Sequence, residues 1–131
     1  MTVDLVHPTG ATAPVAAQLQ YDPRHPYAVT TVFMTGGNQV RWTFGRDLLR
    51  VGLYEPAGVG DVHVWPGLDS GGNAVVMIEL RSPDGEAHVQ ARTADLSAFV
   101  ERMTSAVVPG TESERIDVDA AISAILEPED A

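Results

Sequence analysis

Alternation of apolar and polar residues predicts β-strands through the first ninety positions. Val40, Trp42 and Phe44 alternate with Arg41 and Thr43, which is the period of two that a half-buried strand shows. Alternation and short apolar runs together predict a sheet of about six or seven strands. The segments concerned are residues 3–7, 15–21, 27–34, 40–44, 61–65, 75–80 and 87–92.

Glycine-containing turns separate several of these strands. Residues 35–38, 70–73 and 82–85 contain glycine, which readily adopts the positive φ angles that tight hairpins require. The segment 27–34 is apolar on both faces, which is typical of a strand covered on both sides. Because one layer of helices covers only one face of a sheet, we expect a second protomer to cover the other.

Two later segments change to helical periodicity. An apolar stripe behind a cap at Thr93 or Asp95 predicts a helix that ends at Pro109. A second stripe predicts a C-terminal helix over residues 116–127 with a cap at Asp117, and a short helix is predicted at 45–51. The first stripe consists of Leu96, Phe99, Val100, Met103 and Val107. The predicted fold class is therefore α+β, a mostly antiparallel sheet with two to three helices packed on one face.

Composition narrows the chemistry that this chain can perform. The 131 residues fit a single domain, 1–131, and carry 18 acids against 8 basic residues, a net charge of −10. All eight basic residues are arginine, so chemistry that needs lysine is excluded, and the absence of cysteine excludes thiolate nucleophiles. No apolar stretch approaches the length of a membrane span, and the first residues do not resemble a signal peptide, so we expect a cytoplasmic protein with no transmembrane segment.

Motifs that resemble catalytic or nucleotide sites have simpler interpretations. Residues 58–61 (Gly-Val-Gly-Asp) precede a strand rather than a helix and lack a third glycine, so a turn or bulge is the better interpretation. Ser70 lies in a predicted hairpin tip, where no base is placed beside it. Paired acids such as Glu112 and Glu114 are attributed to capping and solubility.

The four histidines and two tryptophans give no defined site. None of the spacings that place two metal ligands on one face occurs among His7, His25, His63 and His88. Asp61 could share a strand face with His63, but two ligands do not make a metal site. We therefore assign no catalytic, cofactor-binding or metal-binding residue and expect no cofactor. The partner-binding surface is left unassigned.

An alternative function is single-stranded nucleic-acid binding, through bases stacked on Trp42 and Trp65. That function needs a basic groove, and Arg41, Arg46 and Arg50 would have to supply it. Eight arginines against 18 acids make such a groove a poor expectation, so core or interface packing is favoured for both tryptophans.

Five fragments in order resemble the SsgA-like proteins, which act in sporulation and cell division of actinobacteria. The match runs from about residue 19 to residue 126 and weakens over residues 1–17. The fragments are residues 21–29 (YDPRHPYAV), 41–49 (RWTFGRDLL), 58–66 (GVGDVHVWP), 82–87 (SPDGEA) and 108–112 (VPGTE).

The resemblance implies a non-enzymatic role in sporulation-specific septation. Within the family the SsgB type is favoured, which implies a protein that marks future septum sites and recruits FtsZ together with SsgA-type partners. It further implies a whirly-like fold assembled as a homotrimer and located at the division septum.

Overall fold

The computed structural model describes residues 1–115, which form one eight-stranded sheet with two α-helices and a short 3-10 helix. The sheet order is β4-β3-β2-β1-β8-β7-β6-β5, and every neighbouring pair is antiparallel. The predicted C-terminal helix, 116–127, lies outside the described residues. The strands are β1 Thr2–Val6, β2 Thr12–Gln20, β3 Ala28–Thr35, β4 Asn38–Gly45, β5 Ala57–Val59, β6 Val62–Leu68, β7 Ala74–Ser82 and β8 Gly85–Arg92, and the helices are α1 Arg46–Gly52, α2 Thr93–Ala106 and the 3-10 helix Glu112–Arg115.

The sheet curls into a half-barrel around a single core. α1 packs mainly on β5 and β6, and α2 packs on β7 and β8. We call the sheet face that carries Val64, Ile78 and Val89 the inner face, because these residues pack in one cluster with helix residues such as Leu49 and Leu96. The opposite face is the outer face.

The predicted hairpins are confirmed. Gly36 and Gly37 have φ values of 53° and 86° and join β3 to β4 in a two-residue turn. Positive φ at both central residues is the geometry of a type I′ turn, whose twist matches that of the flanking strands. Gly72 likewise adopts positive φ in the turn before β7, and Gly85 does so as the first residue of β8.

The α+β class and the mostly antiparallel sheet are confirmed, but the sheet has eight strands rather than six or seven. The N-terminal strand exists and lies between β2 and β8, so residues 1–17 contribute to the centre of the sheet. The additional strand is β5, three residues long, which the glycines at 58 and 60 had marked only as a turn. A three-residue strand is too short to leave a periodic pattern in sequence.

Two details of the predicted helices differ. Neither Thr93 nor Asp95 caps α2, because the helix begins at Thr93 and the N-cap position belongs to Arg92, which makes no side-chain capping bond. Asp95 instead pairs with the Arg92 guanidinium at 3.1 Å. Gly52 ends α1 as predicted, but its role is close packing, because a Cβ there would lie 2.3 Å from Val64 Cγ1.

β3 is buried on both faces, as its composition predicts, yet the chain itself provides part of the cover. Val32 points to the outer face and is only 1% exposed, with Gln18 and Arg41 as its cross-strand neighbours. Met34 is the outer-face residue of β3 that stays uncovered, at 45% exposure. On the outer face of β3 the described residues therefore leave Met34 exposed rather than the whole strand.

Candidate functional site

Arg46, the first residue of α1, is the most deeply buried charged side chain of residues 1–115, at 1% exposure. Its Nη1 donates to the Val107 carbonyl at 2.8 Å and to the Tyr21 hydroxyl at 3.1 Å, and its Nη2 donates to Glu112 Oε1 at 2.7 Å. The guanidinium also lies 5.6 Å from the centroid of the Tyr21 ring. One side chain thus ties together α1, the segment after β2 and the segment after α2.

Glu112 completes this buried ion pair. Its second oxygen, Oε2, accepts a hydrogen bond from the Gly110 amide at 2.8 Å. The Arg46 guanidinium is the main cause that lowers the pKa of this carboxyl, and backbone N–H donors, including that of Gly110, lower it further. The sequence attributes Glu112 to capping and solubility, and the burial of its carboxylate against Arg46 shows that solubility is not its role. Arg46 was considered only for a basic groove that the composition disfavours, and it is buried instead. Only the fold brings residues 66 positions apart into contact.

The outer face carries a row that sequence spacing did not reveal. His63 on β6, Glu79 on β7 and His88 on β8 are direct cross-strand partners. His88 Nε2 lies 3.6 Å from Glu79 Oε2, and His63 Nε2 lies 3.0 Å from the Gly60 carbonyl oxygen. Asp61 precedes β6 and does not join the row.

Arg81 determines the character of this row. Ligand atoms of Glu79, Glu86 and His88 lie within 4.8 Å of one another, a spacing at which a cation could be held. The Arg81 Nε, however, lies 2.5 Å from Glu79 and 3.5 Å from Glu86, so a guanidinium already pairs with both carboxylates. Glu79, Arg81 and Glu86 therefore form an ion-pair network beside His88.

The other candidate motifs have structural roles. Ser70 lies exposed beside Asp69, whose Oδ1 accepts the amides of Gly71 and Asn73 at 2.9 and 2.8 Å and so organises the turn. These hydrogen bonds, with those of Asn73 foremost, lower the pKa of the Asp69 carboxyl. Gly58 has a φ of 138°, and a Cβ there would lie 2.4 Å from the Val62 carbonyl oxygen. The interpretation as turns is confirmed for Ser70 and for residues 60–61, whereas Gly58 lies within strand β5.

The tryptophans and arginines do not form one groove. Trp42 points to the inner face beside the core, whereas Trp65 lies on the outer face opposite Met77. Arg46 is buried and Arg50 pairs with Asp47 at 3.1 Å. This arrangement lacks the continuous basic surface with exposed aromatics that single-strand binding requires.

Charge is distributed unevenly over the sheet. Residues 1–45, which form β1–β4, contain two acids and two arginines, a net charge of zero, whereas residues 46–115 contain eleven acids and six arginines, a net charge of −5. Large apolar side chains are exposed on both halves, at Met34 and Val40 on the neutral half and at Tyr54, Val59 and Leu68 on the other. No helix within residues 1–115 is long and apolar enough to cross a membrane.

Comparison with known proteins gives a consistent result. The model of the Streptomyces sporulation and cell division protein family, SsgA, matches residues 15–112. The sporulation-specific cell division protein SsgB of Streptomyces coelicolor is 47% identical over 123 residues, which cover 93% of this chain and 89% of the relative. SsgB of Frankia casuarinae is 44% identical over 127 residues, covering 96% and 88%.

Solved structures agree with the sequence relatives. The crystal structure of an SsgA-like sporulation-specific cell division protein from Thermobifida fusca superposes with a TM-score of 0.83 at 40% identity, covering 95% of this chain and 91% of the other. A structure from work on SsgB in Streptomyces coelicolor superposes with a TM-score of 0.82 at 44% identity, covering 87% and 90%. The resemblance drawn from the five fragments is confirmed: this chain belongs to the SsgA family of non-enzymatic sporulation and cell division proteins.

Proposed function

We propose that this protein acts in sporulation-specific cell division as an SsgB-type protein that marks future septum sites and recruits FtsZ, together with SsgA-type partners. The observation that carries the proposal is the similarity along almost the whole chain to relatives named sporulation-specific cell division protein SsgB. The proposed location is the cytoplasm, at the division septum.

Recruitment by an oligomer is the proposed mechanism. We propose a homotrimer of whirly-like architecture, because three copies present one epitope three times and gain avidity for a filament without a tight single site. Support comes from the neutral β1–β4 half, where copies of a chain with a net charge of −10 can meet with little repulsion. Static light scattering tests the oligomer: three chains of 14.0 kDa are expected, and a monomeric particle would overturn it.

Co-sedimentation tests recruitment directly. The purified protein is mixed with FtsZ that has been polymerised with GTP. Unpolymerised FtsZ in GDP is the matched control. Avidity predicts that the protein pellets with filaments and stays in the supernatant with unpolymerised FtsZ. Failure to pellet at low salt, for an oligomer verified by light scattering, counts against direct recruitment.

A fluorescent fusion tests the marking of septum sites in the organism. Ladders of foci that precede FtsZ ladders in sporulating hyphae are expected, and diffuse fluorescence contradicts the proposal. Foci that appear only after FtsZ would instead show that the protein follows the ring rather than placing it.

A further inference from the structure

The two edges of the sheet differ in how they meet solvent. The edge strand β5 has three residues, follows Pro56 and contains Gly58 at a φ of 138°, features that discourage pairing with another strand. The opposite edge strand, β4, has eight residues in unbroken register with β3, and it contains no proline. Within residues 1–115 no strand pairs with the free side of β4.

The register identifies the backbone groups on this open edge. The pair Thr35–Asn38 closes a type I′ turn and so exchanges both hydrogen bonds, and such pairs alternate along an antiparallel ladder. Val40 and Trp42 therefore bond to β3, and Gln39, Arg41 and Thr43 direct their amides and carbonyls outward.

Hydrogen bonds at the other side of this half support the same alternation. The Ala17 amide donates to the Met1 carbonyl at 2.8 Å, and the Met1 amino group donates to the Ala17 carbonyl at 2.9 Å. The backbone groups of Ala17 therefore point towards β1, and those of the residues on either side of it point towards β3. Counting across β2 and β3 from this pair again leaves residues 39, 41 and 43 facing outward.

The side chains along β4 define what an added strand would need. Val40, at 42% exposure, and the half-buried Trp42 lie on the inner face, whereas Arg41 is exposed on the outer face. Arg41 makes no ion pair within the described chain, and β1–β4 contain one acid within their strands, Asp4. An added strand would bury apolar residues beside Val40 and Trp42 and present an acid to Arg41.

A second copy of β4 in the symmetric register centred on Arg41 fits this edge less well. That pairing places the two guanidiniums opposite each other, and like charges directly opposite are unfavourable in a sheet. An acidic partner meets no such repulsion.

We propose that the free edge of β4 is a binding site for an extended peptide of a partner protein in which apolar and acidic residues alternate. The peptide adds a ninth strand by main-chain hydrogen bonds to Gln39, Arg41 and Thr43, and the alternation of its side chains gives specificity. The test of this site uses no division protein. Its outcome therefore does not depend on whether the partner proposed above is correct.

Amide hydrogen exchange measured by NMR on the full chain tests the site. The probe is a capped seven-residue peptide that alternates valine with glutamate. We expect it to slow exchange at the amides of Gln39, Arg41 and Thr43 and to leave those of β5 unchanged. If saturating peptide does not slow exchange at these amides, the proposal is overturned. It is also overturned if, without peptide, protection of these amides increases with protein concentration, because the edge would then bind a second copy.

Matched peptides and variants separate strand addition from charge attraction alone. A peptide N-methylated at alternate amides, and one with lysine in place of glutamate, are each expected to bind about tenfold more weakly. Arg41→Glu should reverse the preference between the glutamate and lysine peptides. Gln39→Pro should weaken binding relative to Gln39→Ala, since proline removes one outward N–H without touching the ladder to β3. Equal binding of the N-methylated peptide overturns the proposal.

Discussion

Strands β5–β8 support both helices and are surrounded by most of the charge, whereas strands β1–β4 are neutral and end in an open edge. The helix-covered half exposes Tyr54, Val59 and Leu68, and its net charge of −5 over residues 46–115 repels other anionic molecules. The neutral half exposes Met34 and Val40. The two halves therefore differ in charge and in helix cover rather than in exposed apolar residues, and only the neutral half ends in a long open edge strand.

The two halves are joined at Arg46, so replacing this residue is expected to have the largest effect. Arg46→Met should lower the free energy of unfolding by about 3 kcal/mol, because it leaves the buried Glu112 carboxylate without its partner. Urea denaturation measures the change. The matched control is Arg50→Met on the same helix, whose ion pair with Asp47 is exposed and should contribute less than about 1 kcal/mol. Equal losses for the two variants would contradict the proposed role of Arg46.

The contact between α1 and β6 is the next test of the helix-covered half. Gly52→Ala places a Cβ 2.3 Å from Val64 Cγ1 and should cost about 2 kcal/mol of stability, since neither backbone can yield easily in a packed core. Thermal unfolding measures it. Gly67→Ala in β6 is the control, because its Cβ would meet Met77 at an ordinary 3.6 Å. A neutral Gly52→Ala would show that α1 is free to move away from the sheet.

Local signals in the sequence were sufficient to predict strand β4 and its hairpin in the neutral half. The alternation around Trp42 and the glycine pair at positions 36 and 37 predicted β4 and its hairpin, because both period and turn type depend on adjacent residues. They were also sufficient for α2, whose apolar stripe is buried at Leu96, Val100 and Met103.

What sequence missed depends on distant residues. The pairing of Arg46 with Glu112 and the row that joins His63, Glu79 and His88 arise only when separate strands are brought together. A charged residue gives no local sign that it will be buried, since burial of arginine is rare and is set by the partner that the fold supplies. The open edge of β4 is likewise a property of strand order and not of the strand itself.

A smaller effect is expected inside the neutral half, where Thr31 is 3% exposed and its hydroxyl has no hydrogen-bond partner among the described residues. Thr31→Val removes an unsatisfied polar atom at constant shape and should stabilise the protein by about 1 kcal/mol. Thr30→Val is the control, because the Thr30 hydroxyl lies 2.8 Å from that of Thr43 and should bring no gain. Chemical denaturation of both variants measures the cost of burying the Thr31 hydroxyl without a partner. If Thr31→Val destabilises the protein, the hydroxyl has a partner in solution.

The smallest effect is a pH dependence at the junction of the two halves. Arg46 and the backbone donors hold the pKa of Glu112 below that of an unfolded glutamate, so the unfolded state binds more protons than the folded state as pH falls. The stabilisation is therefore fully present above the unfolded pKa and is lost as pH falls through the folded pKa. Glu112→Gln removes the titrating group, so the stability difference between the wild type and this variant should be constant near neutral pH. It should then shrink below the usual pKa of glutamate, as urea denaturation across the acid range can measure. A difference that stays constant to the lowest pH would mean that the carboxylate titrates alike in both states, and that the junction depends on the shape of the Glu112 side chain rather than on its charge.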